Sequence, residues 1–160
     1  MRMLQNMNAV TYVEELMPLI TEALSSGQSV RFFPRGTSMM PMLRQDVDSV
    51  VLSPVPERLQ KYDLAFYQRD NGKYILHRIV AAGETYTCMG DNQTTPESGL
   101  RHDQMLAVVT GFYRNKRYIA VDAFGYRLYR NIWVGLMPVR RLFCRAKNKL
   151  RCILRRIRKS

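Results

Sequence analysis

Two stretches of this chain hold residue types that could make and break acyl bonds. Gly36-Thr37-Ser38-Met39-Met40-Pro41 sets a serine between a glycine and a proline, and Leu76-His77-Arg78-Ile79-Val80 places a histidine 39 residues after that serine. A serine hydroxyl is too weak an acid to attack a carbonyl at neutral pH unless a base lies within hydrogen-bond reach. Of the chain's two histidines, His77 alone falls in a clearly strand-like segment. Period-two alternation sets it on the face of Ile75 and Ile79, a semi-buried position. In that pairing Ser38 is the nucleophile, and the neutral His77 ring takes its proton and later returns it to the leaving amine. Taken singly, Ser38 is a loop serine before a proline turn, and His77 is a core histidine bonded to a backbone carbonyl. The pair is what favours chemistry. His102 lacks apolar context and reads as a solvated loop histidine.

G-x-S-M-x-P followed by an H-R-I strand resembles the signal peptidase superfamily of serine endopeptidases, which shares its fold with self-cleaving repressors. The likeness continues through Met89-Gly90-Asp91-Asn92 and through Asp103 ahead of Met105–Gly111, similar to the family's "GDN … D … G-x-V" region. It runs from about Val30 to Arg114, roughly half the chain. The resemblance implies a nucleophile just before the first methionine. It also implies a histidine base, as in the endoplasmic-reticulum and archaeal-like branch, oriented by an aspartate: Asp103 by preference, with Asp91 as rival or as a turn residue. Gly36, Thr37 and Met39 then shape the loop that presents Ser38 and its oxyanion donors. Many signal peptidases carry a donor hydroxyl two residues before the nucleophile, where this chain has Gly36. That leaves the Ser38 N–H, with Thr37 substituting only if its side chain turns inward. One such donor is worth about 3 kcal/mol of transition-state stabilisation. The implied substrate is an extended peptide added beside the strands, with small residues such as alanine at the first and third positions before the cut.

Composition narrows the alternatives. At 160 residues with 46% apolar content, the chain fits one ordinary domain with a real core, with room for appendages. Three cysteines without CxxC spacing and only two histidines suggest neither a disulfide framework nor a metal site, and no cofactor is implied. Reduced thiols fit a cytosolic compartment. Met1–Asn8 lacks the apolar core of a secretory signal. No run approaches the ~18 apolar residues that span a bilayer. Signal peptidases are typically membrane-anchored, so this chain departs from them, and the expected location is cytoplasmic or peripheral on the cytoplasmic membrane face.

The elements that must position the pair are read from periodicity. Thr11-x-x-Glu14 is a capping-box pattern, and Val10, Val13, Met17, Ile20 and Leu24 recur at helical spacing, with Pro18 kinking or restarting the helix and Gly27 ending it. From residue 29 to 122 short strands follow: Ser29–Phe33, Asp48–Ser53, Leu64–Gln68, Tyr74–Ala81, Thr85–Met89, Met105–Arg114 and Arg117–Val121. Asp70-Asn71-Gly72, Gly83-Glu84 and Asn115-Lys116 supply tight turns. The expected fold is mainly β, a small coiled antiparallel β-barrel or sandwich, with an N-terminal helical segment (1–28), a catalytic β domain (29–122) and a basic amphipathic helical tail (123–160).

Charge is uneven. The net +12 arises entirely in the tail: residues 1–122 carry 13 Lys/Arg and 13 Asp/Glu, whereas residues 123–160 carry 12 Lys/Arg and no acid. Val139, Leu142, Phe143, Ala146, Leu150, Ile153, Leu154 and Ile157 form one apolar stripe among Arg140, Arg141, Arg145, Arg155 and Arg156. This pattern suits an anionic membrane interface, with Trp133 and Tyr129 nearby as anchors. A helix docked on the protein's own core ranks second and a nucleic-acid arm third. Altogether the residues point to a serine endopeptidase that cleaves signal or leader-like peptides. The alternatives are a self-cleaving or dedicated precursor-processing peptidase in the cytosol, and a non-catalytic membrane or nucleic-acid binding protein on the same fold.

Overall fold

The computed structural model of the chain describes residues 9–136 and residue 139. Helix α1 (Ala9–Ser25) begins two residues before Thr11 and runs through Pro18. The strands are β1 (Val30–Phe32), β2 (Ser49–Ser53), β3 (Leu64–Gln68), β4 (Tyr74–Ala82), β5 (Tyr86–Met89), β6 (Glu97–Leu100), β7 (Met105–Arg114) and β8 (Arg117–Ala120), and helix α2 (Phe124–Gly135) follows. The protein is mainly β. All eight strands join one antiparallel sheet in the order β1-β2-β7-β3-β4-β5-β6, with β8 on β7. The long β7 makes this possible: its first half pairs with β3, its second half with β8, and β2 runs along its other edge. The sheet is not closed into a barrel.

Seven strands match their expected positions to within about two residues, but β6 has no counterpart among the expected strands. Glu97-Ser98-Gly99-Leu100 lacks the β-branched and aromatic residues that mark a strand, and it is recruited by pairing with β5. The turns follow their residue chemistry. Gly72, at φ +81°, closes the β3–β4 hairpin, and Asn115-Lys116, both at positive φ, close β7–β8.

Alternation along the strands divides the core in two. Leu64, Phe66 and Leu76 join Val50, Leu52, Val109 and Phe112 in a cluster that Met17, Ile20 and Leu24 of α1 and Tyr126 of α2 also enter. Ala65, Tyr67 and Ile79 join Tyr86, Cys88 and Leu100 in the second cluster, against which Ile75 packs. His77 pairs with Ala65 and lies on this second face, beside the Tyr67–Ile75 pair. Arg78, one residue on, pairs with Leu64 and faces the other way. Adjacent residues thus serve two different clusters. The expected tail stripe from Leu142 to Ile157, with Arg140, Arg141, Arg145, Arg155 and Arg156, lies outside the described residues.

Candidate active site

The chain leaves β1 and forms a loop whose centre is Ser38. Gly36 takes φ +96°, a left-handed conformation that favours glycine, and its N–H donates to Gln45 Oε1 at 3.1 Å. Met39, Met42 and Leu43 anchor the loop in the core. Asn92 ties it from the opposite side, its N–H donating to Ser38 O at 2.7 Å and its side-chain amide to Thr37 O at 3.1 Å. Ser38 is left half-buried, with its backbone held on two sides.

His77 is 3% exposed. Its Nδ1 lies 3.3 Å from the Tyr67 hydroxyl, which donates to Glu97 Oε2 at 2.8 Å. Glu97 in turn receives Arg69 through Nη2 at 2.6 Å and Nε at 2.8 Å. Because the Tyr67 proton is committed to Glu97, its oxygen is left to accept from Nδ1–H. That fixes the tautomer with a free lone pair on Nε2. The charges agree with this assignment. Burial, then the Glu97 hydrogen bond, raises the Tyr67 pKa, so the phenol keeps its proton. Burial would raise Glu97 too, but the Arg69 and Tyr67 hydrogen bonds outweigh it and hold Glu97 ionised. Burial, reinforced by the Arg69 charge, pulls the His77 pKa down to about 4 against the opposing pull of Glu97 and Asp91. The imidazole is therefore neutral at physiological pH.

Ser38 and His77 converge on Gly90. A methyl group at position 90 would lie 3.1 Å from His77 Nε2, 3.1 Å from Ser38 Cβ and 2.6 Å from Ser38 O. Only a glycine admits so close an approach without moving one of the three. The two 3.1 Å spans bound the gap between Ser38 Cβ and Nε2 at about 6 Å. Ser38 Oγ makes no hydrogen bond to a described residue, and a catalytic contact between such a pair forms or tightens only when substrate binds. The two residues share a pocket of about 90 Å³ with Pro34, Gly36, Leu43 and Leu76. A second, more apolar pocket of about 250 Å³, lined by Val13, Phe32, Phe66 and Tyr74, adjoins it along Pro34 and Leu76.

Between the pockets runs a half-open strand edge. β5 pairs with β4 only from Arg78 onward, so Tyr74–His77 carry β3 on one side and no strand on the other among the described residues. The Ile79 N–H donates to Asp63 O on the β3 side at 2.8 Å. By alternation the N–H and C=O groups of Leu76 and Tyr74 point the other way, toward the groove.

Asp91 and Asp103 stand differently from the expected triad. Asp91 is fully buried, and Arg78 grips both its oxygens, Nε to Oδ1 at 2.8 Å and Nη2 to Oδ2 at 2.7 Å. Arg78 also donates to the Tyr126 hydroxyl at 2.9 Å and to Tyr62 O at 3.2 Å. Burial alone would lower the Arg78 pKa, but Asp91 reverses this and the guanidinium stays charged. Asp91 thus braces the turn that carries Gly90. The Asp103 side chain is 70% exposed on a short 3₁₀ turn and pairs with Arg101 at 3.1 Å, leaving the Nδ1 side of His77 to Tyr67. A hydrogen-bonded tyrosine–glutamate pair lies at Nδ1, where an aspartate was expected. Tyr67 and Glu97 were missed because a tyrosine inside an apolar strand reads as core, and Glu97 sits on the unexpected β6.

Among the described residues the Ser38 N–H has no acceptor and remains available as an oxyanion donor. Thr37 is exposed and does not line the pocket. No three His, Cys, Asp or Glu side chains among the described residues gather as a metal site. Cys88 is buried, with burial pushing its thiol up to about 12, so it is no nucleophile at neutral pH. Trp133, expected at a membrane, is half-buried, and its indole N–H donates to Asp91 O at 3.0 Å. No helix among the described residues is long and apolar enough to cross a membrane. Comparison with protein-family models, curated proteins and solved structures returns no match.

Proposed function

We propose that this protein is a serine endopeptidase of the signal-peptidase kind, with Ser38 as nucleophile and His77 as general base. The observation that carries the reading is the meeting of Ser38 Cβ and His77 Nε2 over Gly90, with the ring neutral and its tautomer set by Tyr67. The peptide lies in the groove as an added strand on the free Leu76 and Tyr74 groups. Ser38 Oγ attacks the scissile carbonyl as Nε2 takes its proton, and the Ser38 N–H supports the oxyanion. His77 then protonates the leaving amine, so the leaving half departs on the Gly90 side and the acyl half occupies the two pockets. Tyr67 is the positioning residue. Its hydroxyl accepts from Nδ1–H, and the Glu97 carboxylate behind it supports the imidazolium that forms.

The two pocket volumes support a particular substrate preference. A cavity of ~150 Å³ holds a benzene-sized group. The 90 Å³ pocket beside Ser38 therefore takes a side chain smaller than a phenyl ring, alanine best suited, and the adjoining 250 Å³ pocket, assigned to the third position, takes a large apolar one. This departs from the small–small preference that the resemblance implies. The test is a panel of extended peptides varied at the first and third positions before the cut. Alanine first with leucine or phenylalanine third should exceed alanine at both in kcat/KM by about tenfold or more, the scale of a few buried methylenes, and phenylalanine first should abolish cleavage. Failure of the folded protein to cleave any member, or cleavage that persists in Ser38→Ala, removes the reading.

A further inference from the structure

We propose that α2 is an interfacial helix whose outer face seats on an anionic bilayer surface. The helix has two faces. Tyr126, Tyr129, Arg130 and Trp133 turn inward. Tyr126 bonds Arg78, Trp133 bonds Asp91 O, and Arg130 sits over the Tyr62 ring at 5.3 Å. On the other face Phe124 is 82% exposed, Leu128 51%, Ile132 52% and Leu136, just past the helix, 45%. Successive steps of four residues drift by only about 40° around the helix, so these side chains form one slanting stripe. Val139, 48% exposed, follows it in the chain.

A helix serving only to cover the sheet would carry polar residues on this face. Four large apolar side chains in a row mark a surface that meets something apolar. Charge identifies the partner. Residues 123–160 carry 12 Lys/Arg and no acid, so the segment that holds the stripe is complementary in charge to an anionic partner. An anionic bilayer matches both properties: Phe124, Leu128, Ile132 and Leu136 enter the acyl boundary, and the positive charge of the segment favours anionic headgroups. A second copy of the chain would set two cationic segments against each other. A nucleic acid would satisfy the cations and leave the stripe in water. The stripe takes over the anchoring role expected of Trp133 and Tyr129, both of which turn to the inner face, where the indole N–H donates to Asp91 O. The inference stands on surface observations alone and does not require that the Ser38 groove cleave peptides.

The test uses the full chain and vesicle flotation at near-physiological salt. Wild type should float with phosphatidylcholine vesicles containing phosphatidylglycerol and bind pure phosphatidylcholine about tenfold more weakly or less. Leu128→Glu with Ile132→Glu should cut binding to the anionic vesicles by about tenfold or more with thermal melting unchanged, since both side chains are exposed. Phe124→Glu, at the most exposed position, should weaken binding in the same direction. Trp133 is the chain's single tryptophan, so brominated acyl chains should leave its fluorescence largely unquenched. Three results would overturn the proposal: no binding to anionic vesicles, binding that the Leu128/Ile132 variant leaves unchanged, or strong quenching of Trp133. A stripe-dependent dimer or nucleic-acid complex formed in place of vesicle binding would also overturn it.

Discussion

Ser38→Ala is expected to lower kcat for peptide cleavage by about 10⁴- to 10⁶-fold, leaving the folded state intact. The effect is large because the hydroxyl is the only atom removed and it carries the covalent step. The fold should not notice, since the Ser38 side chain has no hydrogen bond to a described residue and its backbone carbonyl keeps its bond to Asn92. Assay of the purified variant on the preferred peptide, with thermal melting alongside, checks both halves. The wild-type pH profile adds a second signature. His77 acts as base only when neutral, and burial with the Arg69 charge pulls its pKa down to about 4. The active form is present above that pH and lost as pH falls through it. kcat/KM should therefore stay level from neutrality to about pH 5 and drop near pH 4. A histidine at its ordinary pKa would drop activity at about pH 6.5 instead; a fall there would contradict the buried, Tyr67-bonded ring.

Asp91→Ala is expected to cost about 3–5 kcal/mol of stability, the usual penalty for stranding one member of a buried ion pair. Arg78 and Asp91 both have side chains fully removed from solvent, and two hydrogen bonds join them. Without the carboxylate the Arg78 charge remains buried, held among the described residues by Tyr62 O, Tyr126 and the Met42 sulfur. On a total stability of about 5–15 kcal/mol this is a large fraction, and it lowers the melting temperature by about 10 °C or more. Calorimetry measures it. Arg78→Met with Asp91→Leu should be less harmful than Asp91→Ala alone, because it removes both charges together. Equal or greater damage from the double variant would show that the pair's hydrogen bonds to α2 and the loop outweigh its charge.

Much of this fold was legible in the chain, and the limits have physical reasons. Strands such as Leu64–Gln68 and Met105–Arg114 are dense in β-branched and aromatic residues, so local preference and tertiary need agree, and Asn71-Gly72 and Asn115-Lys116 marked their turns. β6 was not legible because Glu97–Leu100 becomes a strand through its partner β5. Closure was not legible either: counting strands does not say whether the first meets the last, and here it does not. In the candidate site, Ser38 and His77 stand out in the chain because each sits in a local pattern, and both line one pocket. Tyr67 and Glu97 were hidden because their link spans 30 positions and depends on the register of β3 and on β6. The motif offers Asp103 as the partner of His77, with Asp91 as rival or as a turn residue; Arg78 holds Asp91 in the turn role, and Arg101 engages Asp103. Trp133 shows the same effect on α2. Helical periodicity located the residue on the helix but could not show that Asp91 O would turn it inward.

The most direct test of the Ser38–His77 account is mass-spectrometric mapping of the protein after exposure to a fluorophosphonate, which phosphonylates only activated serines. One adduct on Ser38, formed in the wild type and lost in His77→Ala with the fold retained, is the predicted result. No adduct on the folded wild type, or labelling of Ser38 that is indifferent to His77, would contradict the account.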